Sequence, residues 1–375
     1  MPRSALSLVL VIGTVNAACT GYRPVPNVDV RLKETGGPVP GTPLEQVWTE
    51  TPGRGLGFPT AFLDTVLYVG GTDRRVVAVD YRNGARRWAA RLPGPIVEGV
   101  VADDDRVYAA TDRPDGKVYA VDRLRGQQVW HTSTNPATAP LALLDGVLIA
   151  SGRGGITFGL SPVSGKELWH RRLGLASAAA ARAGPDRAVV STLDSLFLLN
   201  VQSGEVLARR RSPGVILSPW ILHGSTLLAG TTDSSVVALS ATDLTGESSA
   251  RLDAPVFGSP MVRNDTAWVV TRVGTLYRIP LDLPPYRAER LYRLDTPVTT
   301  APVRYQGWLL VGLADGRMLA LGPEGQPDWV LQLTAPLELP PVVLPDANLL
   351  VFGGRGDVHR YRLQETTAAG TGGGE

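Results

Sequence analysis

The chain has 375 residues, of which 43% are hydrophobic, so it can bury a sizeable core. Its 37 basic and 35 acidic residues are mixed along the chain and leave a formal charge of +2, which argues against a nucleic-acid-binding protein. The 42 glycines and 30 prolines indicate many turns.

The first 18 residues have the pattern of an export signal. Arg3 lies beside the amino terminus, an apolar run extends from Ala5 to Val15, and two alanines follow. The run is too short to span a bilayer. A buried N-terminal strand is the alternative, but the stretch that follows has no sustained apolar period. We therefore predict a signal peptide over residues 1–18.

Cys19 is the only cysteine in the chain, so an internal disulfide is excluded. Residues 15–19 (VNAAC) resemble a bacterial lipobox, which implies that Cys19 carries the lipid of a lipoprotein. The sequence departs from that pattern at Asn16, where an aliphatic residue is usual, and simple cleavage after either alanine is the alternative. Thr20 in place of Asp after the cysteine implies, by the sorting rule of that class, an outer-membrane location.

Two segments predict disorder. Residues 19–43 are rich in Pro and Gly without a sustained apolar period, which is typical of a tether, and residues 364–375 end in a Gly-rich tail.

Residues 44–363 contain a repeat of about forty residues. Its anchor is an aliphatic or aromatic residue on a short apolar strand, and successive anchors are 39–42 residues apart. The eight anchors are Val79, Val121, Leu160, Leu199, Leu239, Ile279, Leu321 and Tyr361. The repeat carries signals for four strands, the first often preceded by proline.

The clearest units place a tight turn after the third strand. Asp80 and Gly84 bound the first of these turns, and Trp88 follows four residues later. We predict that such tryptophans lie on the outermost strand and wedge between neighbouring sheets. Three features depart from the pattern: Ala208 replaces the tryptophan, Gly246 comes two residues late, and Pro284-Pro285 interrupts the sixth unit.

The two ends of the repeat region complement each other. The eighth unit runs into the tail without a fourth strand, whereas residues 46–50 form a stray strand with Trp48 forty residues before Trp88. Joining them closes a ring and removes exposed sheet edges. The sequence thus predicts an all-β fold: an eight-bladed β-propeller of four-stranded antiparallel blades, closed by an N-terminal strand.

The motif Ala78-Val79-Asp80, with Gly84 and Trp88 after it, resembles the pyrroloquinoline-quinone-type propeller repeat over residues 44–363. Together with Cys19, it makes the chain similar to the propeller lipoprotein of the outer-membrane β-barrel assembly machinery. That resemblance implies a periplasmic, lipid-anchored protein that binds the central barrel subunit or unfolded outer-membrane proteins. The family's contact residues cannot be carried over, because no motif marks them.

Catalysis is the competing interpretation, since quinone-dependent dehydrogenases share this repeat. They need a bound quinone, a calcium cage and a carboxylate base, and large members use a disulfide of adjacent cysteines, which one cysteine cannot form. The four histidines have no ligand spacing, so we expect neither a metal site nor a cofactor.

Arginines recur in the loops between second and third strands of six units: Arg74, Arg113, Arg153, Arg272, Arg317 and Arg355. One interpretation is a face that grips an acidic partner. The other is a solvated mixed face, because eight basic and seven acidic residues share these loops. A third interpretation of the whole protein, a cell-surface sensor or carbohydrate-binding propeller, also stays open. The sequence favours a non-catalytic binding scaffold.

Overall fold

The computed structural model describes residues 40–364, apart from 113, 114, 247, 283, 338 and 355. Within this part the regular structure is entirely β-strand, in eight sheets of four antiparallel strands. No helix in the described residues could cross a membrane. The predictions for residues 1–39, including the signal peptide and Cys19, and for residues 365–375 concern parts of the chain outside this description.

Each sheet is one blade, and the strands of each blade are given from the innermost to the outermost. Blades 1 to 4 comprise β2 (Ala61–Leu63), β3 (Val66–Gly70), β4 (Arg75–Asp80), β5 (Arg86–Arg91); β6 (Val100–Ala102), β7 (Arg106–Ala110), β8 (Lys117–Asp122), β9 (Gln128–Ser133); β10 (Ala142–Leu144), β11 (Val147–Gly152), β12 (Ile156–Leu160), β13 (Glu167–Arg172); β14 (Ala181–Gly184), β15 (Arg187–Ser191), β16 (Ser195–Asn200), β17 (Val206–Arg211). Blades 5 to 8 comprise β18 (Ile221–His223), β19 (Thr226–Gly230), β20 (Ser235–Ser240), β21 (Ser248–Arg251); β22 (Met261–Arg263), β23 (Thr266–Val270), β24 (Thr275–Pro280), β25 (Glu289–Arg293); β26 (Val303–Tyr305), β27 (Trp308–Gly312), β28 (Arg317–Leu321), β29 (Pro327–Gln332); β30 (Val342–Val343), β31 (Leu349–Phe352), β32 (Val358–Leu363), β1 (Leu44–Glu50).

The core lies between the blades. Second and third strands are buried on both faces, as in β3, where every residue is buried. All eight anchors lie on third strands and are buried, as the spacing predicts. Each apolar cluster draws residues from two neighbouring blades, so burial of apolar surface joins the blades into one ring.

The N-terminal strand closes the ring, which confirms the predicted closure. β1 pairs antiparallel with β32, from Leu44 opposite Leu363 to Glu50 opposite Val358. Two ion pairs of 2.9 Å hold the strand: Arg362 to Glu45 within the blade, and Arg86 of blade 1 to Glu50. The last blade is therefore built from both ends of the repeat region.

Four tryptophans join consecutive blades in the predicted way. The indole Nε1 of Trp88 donates to the carbonyl oxygen of Arg123 in the third-to-fourth-strand turn of blade 2, at 2.9 Å. The other three make the same bond to the next blade at 2.8–2.9 Å; they are Trp48 to Tyr81, Trp130 to Pro162 and Trp169 to Val201. A glycine lies directly under each indole, because a Cβ on it would meet the ring; these are Gly84, Gly126, Gly165 and Gly204.

At the junction of blades 4 and 5 the sizes of the two residues are reversed: a small residue replaces the tryptophan, and a large one replaces the glycine. Ala208 stands at the tryptophan position, and Leu244 takes the glycine position of the turn, with a positive φ of 62°. Leu244 is buried in the cluster against which Ala208 packs. A large residue on the turn thus compensates for the small one on the strand, and the turn closes before Gly246.

The ring has two faces. The connection face is formed by the loops between second and third strands and by the segments that join one blade to the next. The turn face is formed by the turns that join first to second and third to fourth strands. Adjacent antiparallel strands alternate in direction, so these two sets of turns lie at the same end of each blade.

Candidate binding surface on the connection face

One backbone hydrogen bond recurs around the connection face. The first or second residue of a blade's second-to-third-strand loop donates its N–H to a carbonyl oxygen of the segment that enters the blade. Examples are Arg153 to Pro136 at 2.9 Å and Arg272 to Pro255 at 2.9 Å. This repeated bond places residues of different blades at equivalent positions of one ring.

Blade 4 differs from its neighbours at both ends of this bond. The N–H of Leu193 donates to the carbonyl oxygen of Leu175 at 3.2 Å. Both side chains are 38% exposed. At the position of Leu175 four other blades carry a proline: Pro95, Pro136, Pro255 and Pro297. We call these two exposed leucines, which lie on neighbouring segments joined by a backbone hydrogen bond, the blade-4 patch.

The loop beneath the blade-4 patch is held by its own hydrogen bonds. The buried Thr192 accepts the N–H of Ser195 at 3.0 Å, and its hydroxyl lies 3.0 Å from the Asp194 carboxylate. The carbonyl oxygen of Asp194 accepts the N–H of Ser212, in the segment leading to blade 5, at 2.8 Å. The patch is therefore presented on a preorganised surface, which lowers the entropy cost of binding.

The four predicted arginines that the structure describes do not come together in one site. Arg153 lies 3.4 Å from Asp112, and Arg317 contacts both Asp315 at 2.7 Å and Asp295 at 3.2 Å.

The remaining arginines are equally dispersed. Arg272 lies over the Phe257 ring at 5.0 Å from its centroid, and Arg74 is exposed at its loop tip with a φ of 69°. The four described arginines belong to four different blades: Arg153 to blade 3, Arg317 to blade 7, Arg272 to blade 6 and Arg74 to blade 1. Arg113 and Arg355 fall outside the described residues. Neighbouring carboxylates and a ring already contact three of them, which favours the mixed-face interpretation.

A cavity of about 520 Å³ opens between the inner strands of blades 5 and 6. Ile221, Met261 and Val262 supply apolar lining, with His223 and Arg263 as polar groups. The Nε2 atom of His223 lies 2.8 Å from the Asp265 carboxylate of the next blade. This cavity has the size of a small-ligand pocket.

The cavity does not fit a calcium–quinone group. Its lining residues include the amide of Asn264 but no carboxylate. Nowhere in the described residues do three or more His, Cys, Asp or Glu side chains lie together in a way that could hold a metal ion. The donor set needed for a calcium cage is thus missing from this cavity.

Comparison with known proteins points to outer-membrane assembly factors. A family model described as outer membrane protein assembly factor BamB matches residues 45–220. The BamB of Burkholderia pseudomallei (strain K96243) is 25% identical over 214 residues, 54% of this chain and 54% of the relative. The alignment thus spans about half the length of that curated relative.

Solved structures show the same fold. BamB from Moraxella catarrhalis matches with a TM-score of 0.72 at 18% identity, over 86% of this chain and 98% of that one. A quinohemoprotein alcohol dehydrogenase from Comamonas testosteroni matches with a TM-score of 0.67 at 13% identity, over 86% and 77%. The chain is a β-propeller with pyrroloquinoline-quinone-like repeats that resembles BamB.

Proposed function

We propose that this propeller is a non-catalytic lipoprotein scaffold on the periplasmic face of the outer membrane, where it assists assembly and insertion of β-barrel proteins. Its partner is the central membrane subunit of the assembly machinery or an unfolded outer-membrane protein. The observation that carries the proposal is the blade-4 patch, an exposed apolar pair on a rigid ring face. The match to a family named for outer-membrane protein assembly supports the choice of partner.

The chemistry of the blade-4 patch suits a protein partner. Interface energy is concentrated in a few apolar anchors that become fully desolvated, surrounded by polar residues. Leu175 and Leu193 supply the anchors, and Arg172 and Asp194 provide polar neighbours in the chain. A complementary apolar side chain would bury both leucines on a surface that needs little reordering.

A non-catalytic role is consistent with the lining of the cavity between blades 5 and 6. The cavity between blades 5 and 6 lacks the carboxylates that a quinone-dependent dehydrogenase would use for calcium and as a base. The likeness to such a dehydrogenase is at the level of the fold, which hosts many functions.

Affinity capture tests the proposal. The intact chain and a Leu175→Asp/Leu193→Asp variant are used to capture partners from detergent-solubilised outer membranes. We expect the double variant to lose at least tenfold in recovered barrel-assembly components, because a carboxylate would have to be desolvated at each anchor.

Val343→Asp is the matched control, since Val343 on β30 is similarly exposed (41%) and lies away from the patch. Equal recovery with the double variant, or recovery of no assembly component by the intact chain, would rule out the proposal.

The arginines stay a separate prediction. If they contribute to partner binding, simultaneous reversal of Arg74, Arg153 and Arg355 reduces capture and the reduction depends on salt. Unchanged capture would assign these loops to the solvated mixed face.

The cavity between blades 5 and 6 supports a second candidate function, a ligand-binding or sensor propeller. Its apolar wall with His223 and Arg263 would suit a small amphiphile that carries an acidic group. A thermal-shift screen of such compounds tests it: a hit abolished by Arg263→Gln would favour this candidate, and a screen without a hit would count against it.

A further inference from the structure

A β-bulge recurs where the third and fourth strands of the blades pair. In seven blades the pairing of third and fourth strands shifts by one residue, and in all of these except blade 6 the shift comes just before the tryptophan position. The extra residue is left without a pairing partner on the third strand. The bulged residues are Val47, Arg87, Val129, Leu168, Leu207, Leu291 and Asp328.

Blades 2 and 3 combine an apolar bulge with an apolar turn tip. Leu124 is 70% exposed and Val163 is 66% exposed, at equivalent positions of the third-to-fourth-strand turns. The bulged Val129 and Leu168, which follow these turns, are 48% and 51% exposed. We call these four residues the turn-face stripe. Single exposed apolar residues are common, but the same arrangement on two consecutive blades is not a scatter of singles.

The tips of the stripe are rigid. The carbonyl oxygen of Arg123, next to Leu124, accepts the indole N–H of Trp88, and that of Pro162, next to Val163, accepts the indole N–H of Trp130. The Asp122 carboxylate also accepts the N–H of Leu124 at 3.0 Å. These bonds hold the backbone of the tips in place.

The shape and charge of the stripe fit a lipid surface better than a protein pocket. Two protruding side chains on separate blades form points, not a groove. Exposed Arg125 and Lys166 flank them and can reach phosphate groups, as basic residues do at membrane interfaces. Nearer the ring axis, residues 103–105 are all aspartate, so apolar insertion and not net charge must supply most of the attraction.

The start of β1 and the end of β32 lie together on the turn face. β1 begins there because it runs antiparallel to β32, and the N–H of Gln364 donates to the carbonyl oxygen of Pro43 at 2.8 Å. Cys19 precedes Pro40 by 21 residues, a span of at most about 75 Å when fully extended. Within that reach, a lipid on Cys19 would allow the turn face, where β1 begins, to contact the bilayer.

We propose that the turn-face stripe inserts Leu124 and Val163 into the surface of the membrane, so that the connection face and its blade-4 patch point away from the bilayer toward partners. This inference rests on the lipid anchor of the proposed function. In this arrangement the turn face contacts the membrane, and the connection face contacts protein partners.

Hydrogen–deuterium exchange on vesicles tests the inference without relying on natural lipidation. The chain from Cys19 onward, which contains every described residue, is coupled through its single thiol to maleimide lipid in phosphatidylethanolamine–phosphatidylglycerol vesicles. We expect exchange in residues 122–129 and 161–168 to slow at least threefold relative to the uncoupled chain, and exchange in the blade-4 loop 192–195 to stay unchanged.

A Leu124→Asp/Val163→Asp variant should lose this protection while remaining coupled, and Val343→Asp should keep it; thermal unfolding verifies that each variant is folded. Equal exchange with and without vesicles, or protection that persists in the double variant, would overturn the inference. Because no partner is present, either result leaves the capture experiment on the blade-4 patch as an independent test of the proposed function.

Discussion

The indole Nε1 of Trp48 donates a hydrogen bond to the carbonyl oxygen of Tyr81 at 2.9 Å. Trp48 lies on the strand that completes blade 8, and Tyr81 lies in the third-to-fourth-strand turn of blade 1. The contact that joins blades 1 to 2, 2 to 3 and 3 to 4 is thus used again to close the ring. The same contact thus recurs at four consecutive blade junctions.

The glycine under each tryptophan should be intolerant of a methyl group. A Cβ on Gly126 would lie 2.6 Å from the Trp88 ring, whereas a Cβ on Gly146 would meet no atom within 4 Å, although both residues have a positive φ near 70°. Both alanine variants carry the cost of the left-handed backbone, about 1–2 kcal/mol. We expect Gly126→Ala to cost about 1–3 kcal/mol more, from overpacking, in chemical denaturation. Equal costs would mean that the indole is free to move.

The inverted pair at the blade 4–blade 5 junction should behave as one unit. Ala208→Trp alone would overpack Leu244, and Leu244→Gly alone would leave a cavity, each costing about 1–4 kcal/mol. The double variant restores the tryptophan–glycine arrangement of the other junctions, so its cost should be at least about 1 kcal/mol below the sum of the single costs. A double-mutant cycle of unfolding free energies measures this, and additive costs would contradict the compensation.

Removal of residues 44–52 should destabilise the whole ring. It deletes β1 together with Trp48, Glu45 and Glu50, and leaves β32 as an exposed edge. We expect a large fall in the thermal unfolding midpoint and a tendency to aggregate. Removal of nine residues from the C terminus is the control of equal length, and should leave the midpoint unchanged. An unaltered midpoint for the 44–52 deletion would contradict closure by β1.

His359 should make the closing blade sensitive to acid. Burial lowers the pKa of His359 below its ordinary value, while Asp357 acts in the opposite direction. Its Nδ1 lies 2.8 Å from the hydroxyl of Thr49 on β1. The unfolded chain therefore binds the proton more readily, so stability falls as pH drops below about 6.5. His359→Gln should flatten the decline of unfolding free energy between pH 7 and 5; an identical slope would exclude His359 as its source.

The periodic part of the fold is readable from the sequence because each blade repeats the same local chemistry. Val79 and its seven equivalents mark third strands, and Trp48 indicates the strand that completes blade 8. The third-to-fourth-strand turn of blade 5 is less predictable, since Leu244 takes a conformation that sequence rules assign to glycine. Its compensation by Ala208 involves residues of different blades and becomes visible only in the packing.

The candidate surfaces were less predictable. The arginine loops look alike in sequence, yet Arg74 and Arg153 occupy different positions of their loops and have different neighbours. The exposure of Val129 and Leu168 comes from a bulge, which depends on strand register. One signal for the blade-4 patch was present in the sequence: Leu175 stands where several other units carry a proline.

The most direct test of the scaffold role is the level of β-barrel proteins in the outer membrane of cells that lack this chain. The account predicts that these levels fall, that the intact chain and Val343→Asp restore them, and that Leu175→Asp/Leu193→Asp does not, although it is present in equal amount. Barrel levels that are unaffected by loss of the chain, or that the double variant restores fully, would contradict it.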